Sequence, residues 1–225
     1  MIPWLDPERP AYFPPTRAAL DEPNGLLAAG GSLEPDWLLE AYRRGIFPWF
    51  SDDEPILWWS PAPRMVLFPE EFHTSRSLRK FLRKQPYRIT VDQRFADVMV
   101  ACSEPRPGQP GSWINGPMLR AYKRLHALGH AHSWECWDRE GRLVGGLYGV
   151  AIGAVFFGES MFSRADNASK AALKALAERG GYRIIDCQMY TDHLASLGAR
   201  EISRANFEKR LRQLLQRSPR KTDID

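Results

Sequence analysis

A chain of 225 residues with 44% hydrophobic and 26% charged residues is neither disordered nor fibrous, and can bury one large core or two modest ones. Its net charge of +4 hides an asymmetry: residues 1–72 carry 12 acidic against 5 basic side chains, so the remainder carries the positive excess and points to an anionic partner. Three cysteines, Cys102, Cys136 and Cys187, form no Cys-x-x-Cys spacing, which excludes a disulfide framework and a zinc site and fits a reducing compartment. The first stretch, "MIPWLDPERPAYFPP", lacks the basic and apolar parts of a signal peptide, and the longest weakly polar run, "GGLYGVAIGAVFFG", is too short to span a bilayer. We expect a soluble, cytoplasmic protein with no membrane partner.

Residues 1–63 are punctuated by turn signals such as "DEPNG" and "SPAPR" around one helix, "EPDWLLEAYRR", which has Pro35 in its first turn and Gly45 past its end. From Arg64 the pattern turns regular. "RMVLF" reads as a strand, "TSRSLRKFLRK" as a helix capped by Thr74 or Ser75, "YRITVD" as a strand, and "RFADVMVACSE" and "PMLRAYKRLHALG" as helices. "AHSWECWD", "RLVGGLYGV" and "AVFFGES" follow as an antiparallel meander. "NASKAALKALAERGG" is then a crossover helix into the strand "YRIIDC", which makes "AVFFG" and "RIIDC" parallel neighbours. "HLASLGAR" gives a short helix or turn, and "NFEKRLRQLLQR" a last helix. The expected fold is α+β: a small N-terminal domain over 1–63, then an N-acetyltransferase-like mixed sheet over 64–225 with a flexible tail from about 218.

Three groups of residues carry chemistry. Arg76, Arg79, Lys80, Arg83 and Lys84 recur at helical spacing on one face, and five like charges on a stripe call for a polyanion. Trp49 and Trp113 sit in Pro- and Gly-bordered loops, where an aromatic ring can stack on a base or plug the core. Glu159 follows a glycine at the carboxyl end of one strand, and Asp186 and Gln188 end its parallel neighbour two residues apart, on one strand face by simple alternation. His126, His130 and His132 lack a nearby Cys or acid to complete a ligand set and read as structural, and Cys187 alternates away from Asp186 and Gln188. An acetyltransferase would open its crossover helix on a glycine-rich phosphate loop, but no glycine lies between Glu159 and Gly180. The missing loop argues for an acyl carrier other than coenzyme A.

The pieces "GLLAAGGSL", "AYRRGIFPWF", "WWSPAPR", "WINGPMLRAYKRLHALGHAHSWE", "GGLYGV", "GESMFSR", "NASKAAL" and "DCQMYTDHLASLGA" together resemble the leucyl/phenylalanyl-tRNA–protein transferases, in that family's order, over about residues 20–210. The resemblance implies transfer of Leu or Phe, and less readily Met, from aminoacyl-tRNA to the N-terminal Arg or Lys of an acceptor protein, marking it for N-end-rule degradation. It implies no cofactor. By the same resemblance Asp186, Gln188 and Glu159 are catalytic, and Leu147, Phe156, Leu176 and Ile185 line the pocket for the amino acid side chain. Trp49 and Trp113 would place the 3′-terminal adenosine. Asn115 stands where the family more often has Thr. Two alternatives are an acyltransferase using acetyl-coenzyme A and a non-catalytic tRNA-binding protein.

Overall fold

The computed structural model describes residues 2–105 and 114–220. In the N-terminal part, β1 (Trp4–Leu5), β2 (Leu26–Gly30), β3 (Phe47–Pro48) and β4 (Leu57–Trp59) form a sheet in the order β1-β2-β4-β3, with α1 (Pro35–Arg43) between β2 and β3. Helix α1 starts where its sequence says: Pro35 occupies the first turn, where its absent N–H is no loss, and Asp36 and Arg43 complement the helix dipole. The chain then turns at Gly45, whose positive φ of 74° and close approach to Phe207 both favour the absence of a Cβ.

The second sheet begins at β5 (Arg64–Leu67). It continues through α2 (Arg76–Leu82), β6 (Arg88–Val91), α3 (Phe95–Ser103), α4 (Gly116–Ala127), β7 (Ala131–Trp137), β8 (Leu143–Ile152) and β9 (Val155–Ser163). The chain ends with α5 (Ala168–Arg179), β10 (Ile184–Gln188), α6 (Asp192–Ser196), β11 (Arg200–Ile202) and α7 (Arg204–Leu214). The seven strands lie in the order β11-β5-β10-β9-β8-β7-β6. Strands β6 to β9 are antiparallel neighbours, β9 and β10 are parallel, and β5 runs antiparallel to both β10 and β11. The meander and the crossover through α5 are thus as expected, and the mixed α+β sheet with them.

Alternation along these strands sends side chains to two apolar layers. On one face Met65, Leu147, Phe156 and Ile185 pack with Leu173 and Leu176 of α5. On the other, Val66, Tyr148, Phe157 and Ile184 join a cluster that includes residues of α1, α3, α4 and α7 and reaches Leu27 and Trp58 of the first sheet. One continuous core therefore spans both sheets, and each large side chain it covers completely is worth ~1.5–3 kcal/mol. Asn115 caps α4 by accepting the Met118 N–H at 2.9 Å, so this position has a plain structural task.

One expectation needs correction. Helix α2 ends at Leu82, so Arg83 and Lys84 lie on the turn beyond it, before Gln85 takes a φ of 48°. Within the tail from 218, the Arg220 N–H donates to the Gly181 carbonyl at 2.8 Å; residues 221–225 lie outside the described residues.

Candidate active site

Strands β9 and β10 run parallel from Val155 and Ile184 to Phe157 and Asp186, then part. Each is irregular where they separate. On β9, Gly158 and Ser160 oppose the adjacent Gly149 and Tyr148, which leaves Glu159 as an extra residue. A Cβ on Gly149 would lie 2.1 Å from the Phe157 carbonyl oxygen, so only glycine admits this approach. On β10, Asp186 and Gln188 oppose the adjacent Val66 and Met65, and Gln188 has a φ of 64°. A non-glycine residue in that region is strained, and such strain concentrates at functional positions.

Simple alternation put Asp186 and Gln188 side by side as a carboxylate and amide pair, but the bulge gives them different partners. Asp186 is fully buried and grips Arg64 bidentately, Nε to Oδ1 at 2.8 Å and Nη2 to Oδ2 at 2.6 Å. The Arg64 guanidinium lies between the rings of Phe47 and Phe207, at 4.9 and 4.8 Å from their centroids. Asp186 also accepts the Gln188 backbone N–H at 3.0 Å, so it holds the bulged strand end and leaves the Gln188 amide to another group.

That other group is Glu159. Its Oε1 accepts from Gln188 Nε2 at 3.0 Å and from the Tyr42 hydroxyl at 2.6 Å, while Oε2 accepts from the Tyr122 hydroxyl at 3.1 Å. The two tyrosine hydroxyls also contact each other. Burial pushes the Glu159 carboxyl up to about 7; the Asp186 charge adds to the rise, and the Tyr42, Tyr122 and Gln188 donors oppose it. Burial, and then the Glu159 charge, push both tyrosines well above their usual range, so they remain donors.

Beside this cluster opens a cavity of about 1240 Å³ lined by Glu159, Asp186 and Gln188. All four expected side-chain contacts, Leu147, Phe156, Leu176 and Ile185, line it too, with Leu173 and Met161. Trp49 stands on its wall, 39% exposed and edge-on to Trp59 at 5.4 Å. Trp59, paired with Phe47 between β4 and β3, also lines the cavity. Trp113 lies outside the described residues. Cys187 packs against the layer of Leu147, Phe156 and Ile185 and also lines the cavity, and burial pushes its thiol up.

The five basic residues at 76–84 are all exposed, and none makes an ion pair among the described residues. Of the histidines, His132 Nδ1 meets Asp92 at 2.6 Å and His126 Nδ1 meets the Ala131 carbonyl at 2.8 Å. The acid that sequence proximity failed to reveal thus arrives from β6, across the sheet edge. Among the described residues no helix is long and apolar enough to cross a membrane.

Three residues of the cluster escaped the sequence: Arg64, Tyr42 and Tyr122. Their signals are real but faint. Arg64 opens an apolar strand, and Tyr42 and Tyr122 put a hydroxyl on the apolar faces of α1 and α4, where each needs a partner.

A family model described as leucyl/phenylalanyl-tRNA protein transferase matches residues 66–212, and one described as that protein's N-terminal domain matches residues 31–62. The chain belongs to this family. The leucyl/phenylalanyl-tRNA–protein transferase of Nitrosospira multiformis is 59% identical over 218 residues, covering 96% of this chain and 93% of its own. That of Nitrosomonas europaea is 62% identical over 205 residues, covering 90% and 86%. Solved structures resemble the chain only distantly. L-PGS from Bacillus licheniformis shares 14% identity at a TM-score of 0.39, covering 56% of this chain and 46% of that one. A GCN5-related N-acetyltransferase from Kribbella flavida shares 12% at 0.34, covering 75% and 61%. The resemblance read from "GESMFSR" and "HLASLGA" is therefore borne out, and the chain is an aminoacyltransferase.

Proposed function

We propose that the chain transfers leucine or phenylalanine, and less readily methionine, from aminoacyl-tRNA to the N-terminal Arg or Lys of acceptor proteins in the cytoplasm, marking them for N-end-rule degradation. We further read it as two working parts, a small domain over 1–63 set against a catalytic domain over 64–225. The observation that carries the reading is the Gln188 amide, anchored at 3.0 Å by Glu159 on the wall of a cavity whose other lining is an apolar lobe.

The chemistry asks for positioning more than for a strong base. The donor is an activated ester. An α-amine with a pKa of about 7.7 to 8.0 is already neutral to the extent of roughly a fifth in a neutral cytoplasm, whereas a lysine ε-amine is neutral roughly one time in a thousand. The amine nitrogen attacks the ester carbonyl, the bond from that carbon to the ribose oxygen breaks, and the proton lost from nitrogen ends on the departing ribose hydroxyl. The Gln188 carbonyl oxygen accepts a hydrogen bond from the amine and holds it in line. Glu159 orients the amide, and Asp186 with Arg64 fixes the strand end that carries it.

Leu147, Phe156, Leu176 and Ile185 receive the transferred side chain. An apolar pocket separates Leu from Met weakly, because one methyl group is worth only ~1–3 kcal/mol, but its shape disfavours β-branched side chains. Trp49 and Trp113 stack on the terminal adenosine, and Arg76, Arg79, Lys80, Arg83 and Lys84 meet the tRNA backbone. Asp52 and Glu54 on the cavity rim supply negative charge for a basic acceptor.

The test is transfer of labelled leucine from Leu-tRNA to a peptide beginning with Arg, run beside a Gly-initiated peptide and beside acetyl-coenzyme A as donor. Label on the Arg peptide alone is expected. Acetylation by acetyl-coenzyme A, or equal labelling of the Gly peptide, would overturn the reading.

A further inference from the structure

We propose that Tyr42 and Tyr122 are positioning residues for the transfer: by holding Glu159 as a carboxylate, they decide which end of the Gln188 amide faces the substrate. The inference rests on the role given above to the Gln188 carbonyl.

A glutamine amide has two ends of nearly equal shape and opposite character, an NH₂ that donates and a carbonyl that accepts. Its neighbour chooses between them. An ionised Glu159 can only accept, so Gln188 turns Nε2 toward it and leaves Oε1 for an amine in the cavity. A protonated Glu159 can donate instead. The amide then turns over to accept that proton, and its NH₂ meets the incoming amine, donor against donor. One proton on a group that need not touch substrate thereby switches the site off.

What faces Glu159 decides how readily it takes that proton. Tyr42 comes from α1, Tyr122 from α4, Gln188 from β10 and Tyr148 from β8, with Cys102 of α3 acting on Tyr148 from behind. Asp186 is near enough to repel it, and the Arg64 guanidinium of β5 that would offset this is engaged with Asp186. No Lys, Arg or His among the described residues pairs with Glu159. Its charge is therefore held by neutral donors alone, and two of the three are tyrosine hydroxyls, one of them brought by α1 from the N-terminal sheet. The Tyr148 hydroxyl, buried and without a partner among the described residues, does not contribute a bond.

The experiment measures single-turnover transfer from Leu-tRNA to an Arg-initiated peptide across pH for the parent, Tyr42→Phe, Tyr122→Phe, Glu159→Gln and Gln188→Ala. The acceptor amine titrates identically in each reaction and cancels in the ratio of variant to parent. Removing a hydroxyl that donates to Glu159 raises the pH at which it ionises. Each Phe variant should be slower than the parent by close to tenfold at about pH 6.5 and recover to within about threefold at about pH 8.5, a displacement of about one pH unit. Glu159→Gln cannot titrate, so its ratio should slope the opposite way, rising about fourfold as pH falls over the same range. Partial unfolding weighs most at high pH, where the buried carboxylate costs stability, so a Phe variant that is slow at low pH and recovers at high pH reports the switch and not mere structure. Ratios flat with pH in both Phe variants would overturn the inference. Gln188→Ala separates the two layers: if it transfers as fast as the parent, the role of the Gln188 carbonyl is wrong; if it is slow while the Phe ratios stay flat, only the tyrosine positioning fails.

Discussion

Two buried carboxylates sit where the neighbouring strands β9 and β10 part, and they live under opposite rules. Asp186 faces a guanidinium in bidentate contact, itself clasped by two aromatic rings. Glu159 faces two phenols and an amide. A buried charge met by an opposite charge is fixed, whereas a buried charge met only by dipoles is poised between two protonation states. The difference separates the group that holds the site together from the group that can change state within it.

The sharpest way to break this comparison is to unpair the fixed charge. Asp186→Ala leaves the Arg64 guanidinium buried, at 1% exposure, without its anion. We expect a loss of ~3–5 kcal/mol of stability in urea denaturation, and much of it should return in a double variant that also carries Arg64→Met, because an apolar side chain of similar length needs no partner there. A loss below ~1 kcal/mol would mean that the ion pair is no more than a spectator.

The poised carboxylate predicts the reverse sign. Because the Glu159 pKa is raised in the folded chain, the stability tied to its neutral form is complete below its unfolded value of 4.5 and is lost as pH rises through about 7. Glu159→Gln, which cannot ionise, removes that slope. The variant should match the parent at about pH 4 and exceed it at about pH 8 by up to ~3 kcal/mol, measured by urea denaturation at both values. Parallel pH profiles for parent and variant would show that the carboxyl is not held near neutrality and would erase the contrast with Asp186.

Much of this site was legible in the sequence, and the part that was not has a definite cause. Glu159, Asp186 and Gln188 were placed together because apolar runs mark the strands and a crossover helix makes β9 and β10 parallel; but β9 runs on to Ser163, so Glu159 lies at a bulge in its middle and not at its end. Leu147, Phe156, Leu176 and Ile185 came from family resemblance, and all line the cavity. Who bonds whom was not legible. Period-two alternation holds only for regular strands, and bulges at Glu159 and before Gln188 re-aim both side chains. Arg64, Tyr42 and Tyr122 reach the cluster from β5, α1 and α4, from 37 to 122 residues away along the chain, distances over which local pattern is silent. The Asp92–His132 bond escaped for the same reason, with a separation of 40 residues.

A third setting for charge completes the comparison: the exposed cations at Arg76, Arg79, Lys80, Arg83 and Lys84. Like Glu159 they make no ion pair among the described residues, but water solvates them, so their repulsion is weak and their removal should cost the fold almost nothing. We expect the pair Arg79→Gln and Lys80→Gln to leave the melting temperature unchanged within about 2 °C. Their effect belongs to binding. If each touches one phosphate of a single strand, the slope of log affinity against log salt for tRNA should flatten by about 0.7 per residue removed, from about −3.5 for all five. The preference for Leu over Val, set at the pocket, should not move. A double variant that keeps the parent's salt slope would place the tRNA backbone elsewhere, while a change in side-chain preference would mean that these cations and the pocket are coupled through the apolar layer that Leu78 of α2 shares with the pocket residues.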